Sequence, residues 1–150
     1  MSLGAVSDRG ARELLDPASP VRRHYEGLAG NLPMEGRGIV VVTSPDPGAG
    51  RTSVCLGLGA ALAGMGRRAA VVDCNLENSQ LHRMLGEPNF VGLTSGLEDS
   101  TTLEHHGYEV VPGLLVVHAS RTPKDVAREA ADDLLAAGVN LLGVVLNGCA

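Results

Sequence analysis

Gly38-Ile39-Val40-Val41-Val42-Thr43-Ser44-Pro45-Asp46-Pro47-Gly48-Ala49-Gly50-Arg51-Thr52-Ser53 is the stretch that decides how this 150-residue chain is read. Its first six residues are a β-branched run bounded by turn residues, apolar on both faces, which suits a buried parallel strand. Ser44 to Gly50 is a Pro/Gly loop. Arg51 to Met65 is rich in Ala, Leu and Gly and stops at Gly66, the pattern of a helix with a glycine end. A strand, a glycine loop and a helix start in direct succession can wrap backbone N–H groups round phosphate oxygens. Gly48 and Gly50 permit close approach and positive φ. The helix that begins there adds its dipole and its free N–H groups. Pro47, Ala49 and Ser53 complete the loop and first turn, and the Thr52 hydroxyl is placed to meet Mg²⁺. The usual G-x-x-x-x-G-K-[ST] pattern is breached twice, by Pro45 at the first glycine and Arg51 at the lysine. An ordinary tight strand-to-helix turn is therefore the competing reading.

Outward from this loop, strand and helix patterns alternate. Residues 1–18 are mixed and polar, broken by Asp16-Pro17 and Ser19-Pro20, and read as an N-terminal arm; residues 19–150 read as one domain. Ser19 caps a helix with Pro20 at its first position, and Val21, Tyr25, Leu28 and Leu32 form an apolar stripe on it. Residues 69–73 read as a second buried strand, 81–85 as a short helix and 114–117 as a third strand. Thr122-Pro123-Lys124-Asp125 starts a helix to about Ala137, and 141–146 is the last strand. The fold class is α/β: a mainly parallel sheet of four or five strands, residues 39–43 central, with helices on both faces. Asp73 ends its strand at the sheet edge where ligands bind in such folds, and can hold Mg²⁺ or cap the next turn. The stretch 92–112 is the least readable, and His105-His106 within it reads as solvated loop.

Composition narrows the classes. Apolar residues are 44% and charged residues 19%, which excludes a disordered chain. Twelve basic and seventeen acidic residues leave a net charge of −5, so no nucleic acid is expected as a partner. Cys55, Cys74 and Cys149 have no metal-ligand spacing and read as reduced thiols of a cytoplasmic protein. No apolar run approaches a membrane span of about 18 residues, and Met1 to Leu15 carries acids and does not read as a secretory signal.

At the level of motifs the chain resembles a known family. Thr43 to Ser53 looks like the TS-x-x-PGEGKS/T loop of the bacterial tyrosine kinases (BY-kinases), ATPase domains that regulate capsule and exopolysaccharide synthesis. These belong to the deviant P-loop class of the chromosome-partitioning and septum-site ATPases. Val71-Val72-Asp73-Cys74-Asn75-Leu76-Glu77 looks like the family's D-x-D-x-R motif. Leu81-His82-Arg83-Met84-Leu85-Gly86, Pro88-Asn89 and Gly92-Leu93-Thr94 are similar to its LHRLFGLPN..GLT stretch, and residues 122–147 to its last helix-strand unit ending GVVLN. The resemblance spans residues 16–149. It implies a P-loop NTPase-like fold of reduced strand number that takes ATP or ADP with Mg²⁺. It places Pro47, Gly48, Ala49, Gly50, Arg51, Thr52 and Ser53 on the phosphates, Thr52 and Asp73 on the metal, and Asn147 on the adenine edge, where an amide offers a donor and an acceptor. It also implies a membrane polysaccharide co-polymerase or adaptor as partner, recruitment to the inner face of the membrane by that partner, and assembly into homo-oligomers.

The departures bear on activity. The family's loop lysine is Arg51, whose planar fork does not replace a compact ammonium between phosphates. The second acid of D-x-D is Asn75, and the following Arg is Glu77. The assembly motif E-x-x-R-x-x-R reads Arg23, Glu26 and Ala29. The strand ending in Asp-Pro-Pro that completes the metal site has no counterpart; residues 108–111 are its stump, or 114–117 are the strand before it. The family's tyrosine-rich tail is also missing. Phosphoryl transfer needs a bridging cation and metal held by acids, so the expectation is a nucleotide-binding regulator, truncated, degenerate and catalytically impaired, with Arg51 and Asp73 as remaining catalytic positions. The alternatives are an active protein-tyrosine autokinase, a partitioning-type ATPase switch, and an interaction protein that binds no nucleotide.

Overall fold

A computed structural model of the chain describes residues 6, 8–32 and 38–120. The expected helix 122–137, strand 141–146, Asn147 and Cys149 lie outside the described residues. In chain order the elements are α1 (Arg9–Leu15), α2 (Pro20–Gly30), α3 (Arg51–Gly64), β1 (Ala69–Val72), α4 (Leu81–Leu85), α5 (Leu93–Glu98), a 3-10 turn (Leu103–His105), β2 (Gly107–Val111) and β3 (Leu114–Val117).

Helix α3 organises the rest. Gly50 starts it in the left-handed region (φ 79°) and Gly66 (φ 79°) turns the chain out of it. Its own glycines let neighbours close in. A Cβ on Gly57 would lie 2.8 Å from the Tyr25 ring of α2, and one on Gly59 would lie 2.5 Å from Val71 Cγ2 of β1. Leu56 and Ala60 thereby join Leu14, Leu15, Leu81, Leu85, Val71, Val110, Leu114 and Val116 in the main core.

Among the described residues the sheet has three strands in the order β1-β3-β2. β1 and β3 run parallel, Val71 opposite Val116, while β2 and β3 form an antiparallel hairpin with a register shift between Glu109 and Val111. α1, α3 and α4 pack on the face that carries Val71, Leu114 and Val116. The other face carries Ala70, Leu115 and Glu109 and lines an open depression of about 480 Å³ with Arg68, Glu104 and Gly113. Helices on both faces were expected; among the described residues they cover one.

The strand expected over 39–43 is the largest correction. Residues 38–44 carry no strand pairing among the described residues. Ile39, Val40 and Val41 are 37%, 42% and 39% exposed. Among the described residues β3 has β1 on one side and the returning β2 on the other, a mixed three-stranded sheet where a mainly parallel one of four or five strands was expected. Residues 107–111 pair with β3, and 39–43 have no strand partner among the described residues.

Two helices also differ from their sequence patterns. Within residues 1–18, read as a polar arm, Asp8 Oδ1 accepts the Ala11 N–H at 2.8 Å and caps α1, whose Ala11, Leu14 and Leu15 are buried. On α2, Ser19 caps and Pro20 leads as expected, but Val21 and Leu28 are exposed, while Arg22 and Ala29 are buried. Arg22 turns this helix. Its Nη1 donates to the carbonyls of Leu14 (3.3 Å) and Leu15 (3.5 Å), and Nη2 donates to the Ala60 carbonyl. It thus satisfies end carbonyls of α1 that no helix bond reaches.

Candidate phosphate site at the sheet edge

The loop before α3 is held by its own arginine. Arg51 Nη1 donates to the Ser44 carbonyl (3.0 Å) and Ser44 Oγ (2.8 Å), and Ser44 Oγ donates to the Asp46 carbonyl (2.9 Å). Arg51 therefore staples the start of the loop to its end, rather than reaching outward as a lysine would. Gly48 (φ 77°) and Gly50 (φ 79°) both stand in the left-handed region that glycine tolerates. No side chain caps α3, and its first backbone bond runs from the Val54 N–H to the Gly50 carbonyl at 2.9 Å. Among the described residues no acceptor meets the N–H groups of Gly48, Gly50, Arg51, Thr52 or Ser53. Pro47 to Gly50 are exposed and Arg51 to Ser53 half-buried, so these donors open to solvent.

Asp73 follows β1. Because α3 feeds β1 through the Gly66 turn and packs along it, the start of α3 and the end of β1 lie at one edge of the sheet. The proximity is felt electrostatically: burial, and then the Asp73 carboxylate, push the Cys55 thiol of α3 up. Yet Asp73 is occupied with its own turn. Oδ1 accepts the Asn75 N–H (3.0 Å); Oδ2 accepts Ser79 Oγ (2.8 Å) and the N–H groups of Gln80 and Leu81 (both 3.2 Å), capping α4. Oδ2 is saturated, whereas Oδ1 keeps accepting capacity. Asn75 braces the same turn through the backbone of Asn78, at 3.0 and 3.1 Å. The structure thus gathers Pro47 to Ser53 in one loop and sets Asp73 at the same edge, with no hydrogen bond joining the two among the described residues.

Several residues at this edge escaped the sequence reading. His118 Nε2 lies 2.9 Å from Tyr108 OH, and His82 Nδ1 lies 3.0 Å from Ser79 Oγ. Thr94 Oγ1 donates to Ser120 Oγ at 2.7 Å, and Asn89 Oδ1 accepts the Ser120 N–H at 2.9 Å. A polar residue directly after a buried strand, His118 after Val117, was the available signal.

The sequence matches no protein-family model. Over 80 residues, 53% of the chain, it is 35% identical to "Putative tyrosine-protein kinase EpsB" of Ralstonia solanacearum and 36% identical to the protein of that name from Ralstonia nicotianae. The matched stretch is 11% of each, so the chain spans about a tenth of the length of the curated relatives it matches. The crystal structure of the chimerical protein CapA2B2 superposes with a TM-score of 0.66 at 24% identity, covering 84% of this chain and 62% of that one, and shows a shared fold. No helix among the described residues is long and apolar enough to cross a membrane. The partial sequence similarity, with the shared fold beside it, supports a relationship to the bacterial tyrosine kinases.

Proposed function

We propose that this chain is a regulatory relative of the capsule and exopolysaccharide tyrosine kinases that binds ATP or ADP at the 44–53 loop and turns it over poorly. The observation that carries this is the open row of N–H donors behind two left-handed glycines at the head of α3. The same row fits a polyphosphate. Gly48 to Ser53 would hold it by backbone, and the half-buried Thr52 hydroxyl would meet Mg²⁺, with Asp73 Oδ1 contributing through water. Bound Mg²⁺ would neutralise charge on the phosphates. Impaired turnover is supported by two features. Arg51 Nη1 is engaged with Ser44 and Asp73 Oδ2 with the start of α4, which ties both side chains to their own turns and limits how far they follow charge that develops during transfer.

A second reading, an interaction protein, is favoured by the exposed Ile39-Val40-Val41 run. In either reading the proposed partner is a membrane polysaccharide co-polymerase or adaptor that recruits the chain from the cytoplasm, and self-association belongs to the same proposal. Thermal melts with Mg²⁺-ADP and Mg²⁺-ATP, together with an ADP-release assay, separate the readings. A regulator gains stability by ligand linkage and releases ADP at background rate. A working kinase releases ADP, and an interaction protein shows neither effect.

A further inference from the structure

A pair of imidazoles, His82 and His118, lies beside the Asp73 turn. His118, one residue past β3, is 3% exposed. Its Nε2 pairs with Tyr108 OH of β2 at 2.9 Å, and its Nδ1 is buried with no hydrogen-bond partner among the described residues. His82 of α4 meets it edge-on, ring centroids 6.1 Å apart and planes at 90°. The His118 backbone holds α5: its carbonyl accepts the Leu93 N–H at 2.7 Å, and Gly92 packs so closely under that carbonyl that a side chain there would clash. We propose that His118 is an acid-sensitive latch: neutral, it lets α4 and the start of α5 close on the sheet edge; protonated, it releases them.

A neutral imidazole has one donor and one acceptor, so the closed state leaves one unsatisfied nitrogen. Protonation makes both nitrogens donors and buries a charge, and Nδ1–H⁺ meets no acceptor among the described residues. The groups facing His118 come from three elements: Tyr108 from β2, with Glu87 beside it; His82, with Arg83 beside it, from α4; and Asp73 from the end of β1. Burial, and then His82, hold His118 below the ordinary imidazole range, and Asp73 opposes them in part. His82 is lowered by burial and then by Arg83, again against Asp73. A base whose folded-state pKa is depressed contributes full stability above its unfolded value of about 6.5, and that stability is lost as pH falls toward the folded value. The latch therefore opens on the acid side of neutrality.

The test is an imidazole NMR titration of the full chain, pH 7.5 to 5.0, with amide exchange at Leu81 and Leu93 corrected for intrinsic pH dependence. The expected result is a His118 midpoint below the ordinary value, and exchange at both amides rising several-fold relative to Leu56 as pH falls. His118→Gln should flatten that rise. Should His118→Gln fail to fold, Tyr108→Phe keeps both imidazoles and should move the ring's midpoint and the amide opening together. A His118 midpoint at or above the ordinary value, an unchanged Leu93 amide, the same rise in His118→Gln, or a Tyr108→Phe midpoint that moves without the opening, overturns the latch.

Discussion

Removing the Asp73 carboxylate tests whether this residue is foremost the keystone of its own turn. In Asp73→Ala, α4 loses its cap, because the N–H groups of Gln80 and Leu81 lose their acceptor; such losses cost about 1 kcal/mol. Ser79 Oγ, on a residue 6% exposed, loses the carboxylate it donates to, and a buried hydroxyl left so costs about 1–2 kcal/mol. The Asn75 N–H, at a half-buried site, rehydrates at little cost. The sum is roughly 2–3 kcal/mol, or about 8–12 °C in Tm at about 4 °C per kcal/mol for a chain of this size. Asp73→Asn keeps an oxygen acceptor and should lose about half as much. The assay is thermal unfolding by circular dichroism without nucleotide, where a metal-binding role contributes nothing. An Asp73→Ala melt within about 2 °C of wild type would refute the keystone role.

Other perturbations follow from the same contacts. Arg22→Met should cost about 2 kcal/mol in chemical denaturation, because the Leu14 and Leu15 carbonyls lose their donor; Arg22→Lys should rescue little, since one ammonium does not span the same carbonyls. Gly59→Ala should destabilise by about 1–2 kcal/mol in the same assay, its Cβ pressing on Val71 and outweighing the gain in helix propensity. Cys74 should label slowly with maleimide at pH 8 in a background where Cys55 and Cys149 are serine, and faster as pH rises. Burial, then Asp73 and Cys55, push its thiol up to about 11 although part of the residue is open to solvent. Labelling as fast as a free thiol at pH 8 would contradict that.

What the sequence disclosed was mostly local. α4 over 81–85, β3 over 114–117 and the Gly50-to-Gly66 span of α3 are written in short-range signals, namely β-branched runs and glycines at helix ends. The run 39–43 carries as strong a strand signal, yet a strand is realised only by its neighbours, and pairing is not encoded in the run itself. The rotation of α2 was hidden for a similar reason: hydrophobic spacing pointed to Val21 and Leu28, while the buried face is set by an arginine reaching carbonyls of two other helices. At the site, the loop glycines were legible because positive φ narrows the choice of residue. The use of Asp73 was not, because capping and metal binding call for the same carboxylate at the same strand end. The pairing of buried His118 with half-buried Tyr108 depends on the β2–β3 register, which a stretch without clear periodicity conceals.

The central claim is that backbone donors behind Gly48 and Gly50 bind the phosphates. The most direct measurement is a calorimetric titration of Mg²⁺-ADP into the wild type and into Gly50→Ala. The alanine is strained at φ 79° by about 1 kcal/mol or more. The account predicts saturable binding by the wild type, and at least about fivefold weaker binding by Gly50→Ala with the fold intact. No binding by the wild type at millimolar nucleotide, or equal affinity in the two proteins, would contradict it.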